Sequence, residues 1–388
     1  MKADLMLRRG VPSAIRFLVA LAVILLAALS LGGCGPAAET SWSPDDKGIA
    51  YLDEGSLRIF DVATKQSRAL DTGPGRVFSP SWSPDGKIIA FYSAVMGEHG
   101  SISVCVIDLA SGRARTLAAD VMTMPTEAAA NPLDTQQARE EALKEKQGEA
   151  VGMAAYYGGI AWSPDGGRLA CVAAHDDSGG SVLLVDCATG AASPIIEDTS
   201  WTGPIAWSPD GKRLAYVRQG KDEDGKESEA SSLWVCELAS GERHKLCDLP
   251  ENVPEPGTRL EWSADSARIG FIMGDKHHQQ QNRGIGCTVA AQPEAAVHDE
   301  LLGITPIAAW SPGLTGVVFM EKREGDQWVL IYRGLRPRTR QVLGALPLES
   351  NDEDDWFSLP QFSHDGRKVA LRVGKDPTPV NVEVFEIR

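Results

Sequence analysis

The residues of this 388-residue chain best suited to chemistry are a handful of histidines and aspartates in polar, glycine-rich stretches: His99, His175, Asp176, Asp177, His277 and His278. Imidazole and carboxylate together can hold a transition metal or move a proton. Their spacing matches no known ligand pattern, however, and in long polar loops such side chains are more often simply solvated. They are therefore carried forward as candidate binding-face residues, with no catalytic role, metal or cofactor assigned. The run from Lys221 to Glu229 is rich in Asp, Glu and Lys, but its acids do not follow the spacing of a calcium-binding EF-hand loop. It reads as a solvent loop.

A different chemistry belongs to Cys34. Lys2, Arg8, Arg9 and Arg16 form a basic leader, Phe17 to Leu31 is apolar, and the run ends Leu31-Gly32-Gly33-Cys34. That ending resembles the site at which a bacterial lipoprotein signal peptidase cuts ahead of a lipidated cysteine. The resemblance implies a signal peptide over 1–33, Cys34 as the lipidated first residue, and a linker over 34–38. The alternative is an uncleaved membrane anchor, for which the apolar run is short of the roughly 20 residues a span requires. Either reading places the remainder outside the cytoplasm. Two or three acyl chains on one cysteine would hold it stably at a membrane of the cell envelope.

The net charge is −15, and loss of residues 1–33, with four basic residues and one acid, moves it to −18. So acidic a surface argues against nucleic acid as a partner. Six cysteines remain beyond Cys34: Cys105, Cys171, Cys187, Cys236, Cys247 and Cys287. Cys236 and Cys247 flank the Ser240-Gly241 turn and would bond if strand register brought them together. The competing reading is buried free thiols, since all six replace apolar strand residues.

The elements that must position these loops follow from a repeat. An apolar lead-in, an aromatic, Ser-Pro-Asp-Gly or a variant, a basic residue and a short apolar strand recur at Trp42, Trp82, Trp162, Trp207, Trp262, Trp310 and Phe362. The turn has a mechanism. Proline presets φ at its second position, Asp bonds neighbouring backbone, and Gly tolerates positive φ. Asp46 and Ser266 replace the Gly, and Gly313 the Asp. Two more strands follow each hairpin, joined by turns such as Ser111-Gly112, Thr189-Gly190 and Ser240-Gly241. Four short strands per repeat make one blade of a β-propeller, and blades run roughly 40 to 50 residues.

The expected fold is therefore all-β: a propeller of seven four-stranded antiparallel blades over 39–388. An insertion over 119–158, between blades 2 and 3, is expected to hold a short helix from Leu133 to Gln147. The last blade shows strands near Trp356–Phe362, Arg367–Val373 and Val380–Ile387 and then the chain ends, so its outer strand comes from residues 35–40 or is missing. The motif Asp residues, among them Asp45, Asp85, Asp165, Asp210, Asp265 and Asp365, are expected to form turns, and the repeat tryptophans to be core. Trp201, Trp328 and Trp356 lie outside the motif and are candidate platforms for a sugar ring.

The Trp-Ser-Pro-Asp-Gly turn is similar to that of the TolB-like, WD-repeat-related propeller family, and the match extends from about residue 39 to the end. TolB proteins carry an α/β domain before the propeller and fewer blades, so their partners do not transfer. Prolyl-oligopeptidase enzymes use similar repeats, but the Gly-x-Ser-x-Gly nucleophile elbow is absent from this sequence. The resemblance implies a rigid scaffold whose variable loops gather on one face. That face would carry 119–158 and the loops at Gly97–Gly100, His175–Gly180, Gly220–Ser232, Gly274–Gly284, Glu321–Gln327 and Glu349–Asp355. The expected function is binding or scaffolding of a protein or a cell-wall glycan. Two alternatives stand beside it: a polysaccharide-active, lyase-like enzyme, as some similar propellers are, or a ligand-sensing module.

Overall fold

A computed structural model describes residues 40–53, 55–95, 100–123, 159–174, 180–199, 201–221, 227–249, 259–274, 284–293, 295–305, 307–323, 327–347, 355–375 and 381–388. Seven four-stranded antiparallel blades form a propeller. Blade 1 is β1 (Thr40–Trp42), β2 (Gly48–Asp53), β3 (Ser56–Asp61) and β4 (Ser67–Ala69), and blade 2 is β5 (Arg76–Trp82), β6 (Ile88–Val95), β7 (Ser101–Asp108) and β8 (Arg113–Thr123). Blade 3 holds β9 (Ile160–Trp162), β10 (Arg168–Ala174), β11 (Gly180–Asp186) and β12 (Ala192–Thr199). Blade 4 holds β13 (Trp201–Trp207), β14 (Arg213–Lys221), β15 (Glu227–Glu237) and β16 (Arg243–Leu249). Blade 5 is β17 (Glu261–Trp262), β18 (Arg268–Gly274), β19 (Gly284–Ala290) and β20 (Val297–Ile304). Blade 6 is β21 (Ala308–Trp310), β22 (Gly316–Lys322), β23 (Trp328–Leu335) and β24 (Arg338–Ala345).

Blade 7 differs in arrangement. Both β25 (Asp355–Phe357) and β26 (Gln361–Phe362) pair with β27 (Lys368–Lys375), end to end along one edge, and β28 (Asn381–Glu386) pairs with its other edge. The expected single strand over 356–362 is thus broken between Phe357 and Gln361, where Pro360 lacks an amide hydrogen. Among the described residues no strand pairs with the outer edge of β28. Residues 35–39, the other source considered for that strand, lie outside the described residues.

Each motif turn is built as its residues dictate. Ser43 Oγ donates to Asp45 Oδ1 at 2.7 Å and accepts from the Gly48 amide at 2.8 Å, while Asp45 Oδ1 accepts from the Lys47 amide. The same net recurs at Ser83, Ser163, Ser208, Ser263 and Ser363. The serine hydrogen bond holds the carboxyls of Asp45, Asp85, Asp165, Asp265 and Asp365 below the usual range. These aspartates are turn formers. The left-handed position falls on Gly86, Gly166, Gly211 and Gly366, but also on Asp46 (φ 54°), Ser266 (φ 57°) and, in blade 6, Leu314 (φ 61°).

The tryptophans join the blades. Trp162 Nε1 donates to the Ser81 carbonyl, Trp207 to Ala161 and Trp262 to Ala206, each reaching the preceding blade at 3.0 to 3.1 Å. Trp42 closes the circle on Gln361 of blade 7 at 3.1 Å. Trp82 breaks the series: its buried Nε1 has no partner among the described residues, while its backbone amide donates to the Ser41 hydroxyl. The basic residue after the turn also has a use: Arg168 lies over the Trp207 ring and Arg213 over Trp262, each 5.1 Å from the centroid. Between blades, aliphatic and aromatic side chains such as Ile89, Phe91, Leu169, Phe271, Val317 and Leu371 are fully buried, as the apolar second strands required.

Two expectations are corrected, and the open question of the cysteines is answered. The insertion was expected to begin at 119, yet β8 runs to Thr123 and pairs Thr123 with Ser101; Met122 also bridges in parallel to Ala174 of blade 3. The left-handed Asp120 (φ 51°) and breaks in register obscure its alternation. The rest of the insertion, including its helix, lies outside the described residues. The Gly220–Ser232 loop is shorter than expected, because β14 extends to Lys221 and pairs it with Glu227 of β15. Cys236 faces Arg243 and Cys247 faces Leu233, and all six cysteines are free thiols, four of them buried.

Candidate functional site

The candidate residues His99, His175, Asp176, Asp177, His277 and His278, with Cys34, all lie outside the described residues. Among the described residues no three His, Cys, Asp or Glu side chains come together as a metal-binding group, and no helix is long and apolar enough to cross a membrane. Of the candidate aromatic platforms, Trp328 is half-buried and meets the Phe357 ring edge-on at 5.5 Å. It is an inter-blade contact. The side chains of Trp201 and Trp356 lie outside the described residues. Trp234 is stacked against Tyr216 with Arg218 over its ring.

What the described residues do bring together lies at the centre of the ring. The residues just before the motif aromatics are Ser41, Ser81, Ala161, Ala206, Glu261, Ala309 and Gln361. Six are small or neutral, and one is an acid. Two residues before Glu261 stands Arg259, whose Nη2 donates to the Thr40 carbonyl of blade 1 at 3.3 Å. Blades 5 and 1 are not neighbours in the ring, so this bond spans the central channel. Arg259 is solvent-exposed although protein surrounds it, which is the condition of a group lining a channel. That enclosure lowers its guanidinium to about 10, and Glu261 beside it works in the opposite direction. The arginine is still charged at neutral pH.

Burial pushes the Glu261 carboxyl up to about 8, against the pull of a hydrogen bond from the Gly313 amide and of the Arg259 charge. At neutral pH most of the Glu261 population is therefore protonated and does not cancel the arginine. Blade 6 is reshaped around this acid. Its turn is a short 3-10 segment (Pro312–Leu314), Leu314 folds in against Gly270, and Trp310 Nε1 donates to Phe271 rather than to the residue before the preceding aromatic. The channel thus holds a cation with further N–H donors to offer. The sequence signal for it was available: Glu261 is the one acid in a column otherwise filled by Ser, Ala and Gln.

No protein-family model matches this chain, and no curated protein matches it. Its likeness to solved structures is broad but lies at low identity. An oligogalacturonate lyase in complex with manganese is 14% identical over 92% of this chain and 90% of its own, with a TM-score of 0.58. The oligogalacturonate lyase of Vibrio parahaemolyticus gives the same identity and coverage and a TM-score of 0.57. TolB of Acinetobacter baumannii is 15% identical over 81% of this chain with a TM-score of 0.46, and this chain spans only 65% of that one. The lyase likenesses agree with the class that the blades themselves define, a seven-bladed β-propeller.

Proposed function

We propose that this chain is an extracytoplasmic propeller, anchored through a lipid on Cys34, that takes an anionic oligosaccharide at the mouth of its central channel and acts on it in the manner of a lyase. The observation that carries this reading is Arg259, an accessible cation held across the channel of an otherwise acidic molecule. A guanidinium pairs with a carboxylate through two parallel hydrogen bonds, and a uronic acid offers one on every sugar. Pairing there would acidify the hydrogen on the carbon bearing the carboxylate: a water or hydroxide takes that proton, the freed electron pair forms the C=C bond of the unsaturated sugar, and the glycosidic oxygen leaves with the C–O electron pair and is protonated from water. The lyases share this fold over nearly the whole of both chains, and it is the channel cation that favours this reading over the scaffolding expectation.

The test is calorimetric titration of the protein with galacturonate oligomers and with neutral glucose oligomers, alongside the rise in ultraviolet absorbance that an unsaturated product gives. The acidic oligomers are expected to bind and the neutral ones not, and Arg259→Gln is expected to weaken binding by about tenfold or more. Equal binding by the variant, or no binding of any acidic glycan, would overturn the proposal. The anchor is tested separately by metabolic labelling with palmitate, which Cys34→Ala is expected to abolish.

A further inference from the structure

Arg259 is one half of an arrangement whose other half is Glu261. Exposure alternates along 259–262: Leu260 and Trp262 are buried in the packing of blades 4 and 5, whereas Arg259 is exposed and Glu261 half-exposed. The arginine and the acid therefore share the side of the chain that meets the channel, two residues apart, about 7 Å along an extended strand. Blade 6 bends to house the acid. The Gly313 amide donates to the Glu261 carboxyl, and the next residue, Leu314, is held at φ 61°, which an L-residue adopts at a cost. The Trp310 indole also gives up the Glu261 carbonyl, the acceptor that the pattern of Trp162, Trp207 and Trp262 would assign to it, for that of Phe271. The serines and alanines that fill this place in other blades need no such housing.

The surroundings decide the state of the acid. β13, β18 and the 3-10 segment Pro312–Leu314 pack against β17. β13 and the 3-10 segment carry no ionisable side chain, and Arg268 of β18 pairs with Glu300 at 3.8 Å. Among the described residues, Arg259 is thus the charged group that acts on Glu261, and enclosure by protein outweighs its pull, so that the carboxyl gives up its proton only near pH 8. A neutral carboxyl beside a guanidinium offers an anion a second kind of donor. An ionised one would cancel the cation and repel a carboxylate.

We infer that Glu261 is the second anion-binding residue of the channel: with its proton it donates an O–H hydrogen bond to the carboxylate that pairs with Arg259, and without it the ligand is expelled. The inference rests on the reading of Arg259 as a carboxylate site, and it holds whether or not the bound sugar is then cleaved. Affinity is governed by the proton, falling as pH rises through the range in which Glu261 ionises.

The probe is trigalacturonate, titrated calorimetrically into the full-length chain from pH 6 to pH 9 at constant ionic strength. Wild type is expected to bind evenly up to about pH 7 and about tenfold more weakly at pH 9. Buffers of different ionisation enthalpy should show uptake of about half a proton per ligand at pH 8. Glu261→Gln keeps a donor at every pH and an acceptor for the Gly313 amide, and it is expected to bind evenly throughout with no proton uptake. Tighter binding by Glu261→Gln than by wild type at pH 7 would show an ionised acid cancelling Arg259 and would overturn the inference. Level wild-type binding, or one profile shared by wild type and Glu261→Gln, would overturn it too, leaving the acid a structural part alone. If trigalacturonate binds at no pH, the oligosaccharide reading falls and acetate, the bare carboxylate, decides the inference. Against an equal concentration of chloride it is expected to raise the thermal midpoint of wild type at pH 7 more than at pH 9 and to leave Arg259→Gln unmoved; absence of that difference would refute the role given to Glu261.

Discussion

Asp46 shows how one departure from a repeat can be a device. It stands where four other blades have Gly, in the left-handed region, and its carboxylate reaches into blade 7. Oδ1 accepts from the His364 amide at 2.7 Å and Oδ2 from the Asp365 amide at 3.1 Å, with the His364 ring 3.2 Å away. Asp46→Ala is expected to cost about 1–2 kcal/mol in chemical denaturation, and Asp46→Asn about half as much, since one acceptor oxygen survives. Glu261 predicts a pH dependence. Its folded pKa of about 8 lies above its ordinary value of 4.5, so the native state keeps a proton that the unfolded chain releases. Stability contributed at this site therefore falls as pH rises between about 4.5 and about 8 and is level above that. Glu261→Gln is expected to remove this slope, leaving the variant the more stable at high pH; urea unfolding across the range would reveal it. Burial raises the Cys171 thiol to about 12 and the Cys187 and Cys247 thiols to about 11. An alkylating reagent at mildly alkaline pH is expected to modify these three thiols slowly in the folded protein and promptly once it is unfolded. Of these residues, the sequence marked Asp46 as irregular without revealing its partner 318 residues away.

At the level of single elements, the blade 6 turn is the most altered and so the most constrained. A Cβ on Gly270 would press on Leu314 and come within 3.1 Å of the Trp310 indole. Gly270→Ala is expected to destabilise the protein by about 1–3 kcal/mol through overpacking, measurable as a lower thermal midpoint with no change in the other blades' signals. Strands and turns were largely legible in the sequence, because Ser-Pro-Asp-Gly and the short apolar runs each act within a few residues. The ends of β8, β14 and β15 were not. There the residues are mixed in polarity, and strand is imposed by the neighbouring strand through pairs such as Ser101–Thr123 and Lys221–Glu227. The non-pairing of Cys236 and Cys247 is set by the turn: with the hairpin closed at Ser240-Gly241, Cys236 opposes Arg243, four residues short of Cys247.

Across the whole molecule, seven copies of one turn were enough to read the architecture, because a repeat fold is set by what each unit presents to its neighbour. The channel cation was not read. Arg259 acquires its meaning from Thr40, four blade positions away along the chain, and only closure of the ring brings them together. If Arg259 binds a carboxylated ligand, occupancy should tie blade 5 to blade 1 more firmly. Hydrogen exchange in β1 and β17 is expected to slow on addition of galacturonate oligomers while β11 and β12 are unaffected.

The tryptophan contacts have a sense of direction. Each blade that follows the pattern offers an indole N–H backward and a carbonyl forward, so the blades associate head to tail, like subunits of a filament. Such a contact contains no instruction about when to stop. Duplicating or deleting a blade that follows the pattern would leave its junctions chemically matched, whereas among the described residues the carboxylate grip of Asp46 on His364 and Asp365 occurs once, with a weaker echo where the Ser266 hydroxyl accepts from the Asp210 amide of the preceding blade. The number seven is then enforced where the chain meets itself, and a lineage of such proteins could change its blade count while keeping its repeat intact, provided that one clasp could still be reached.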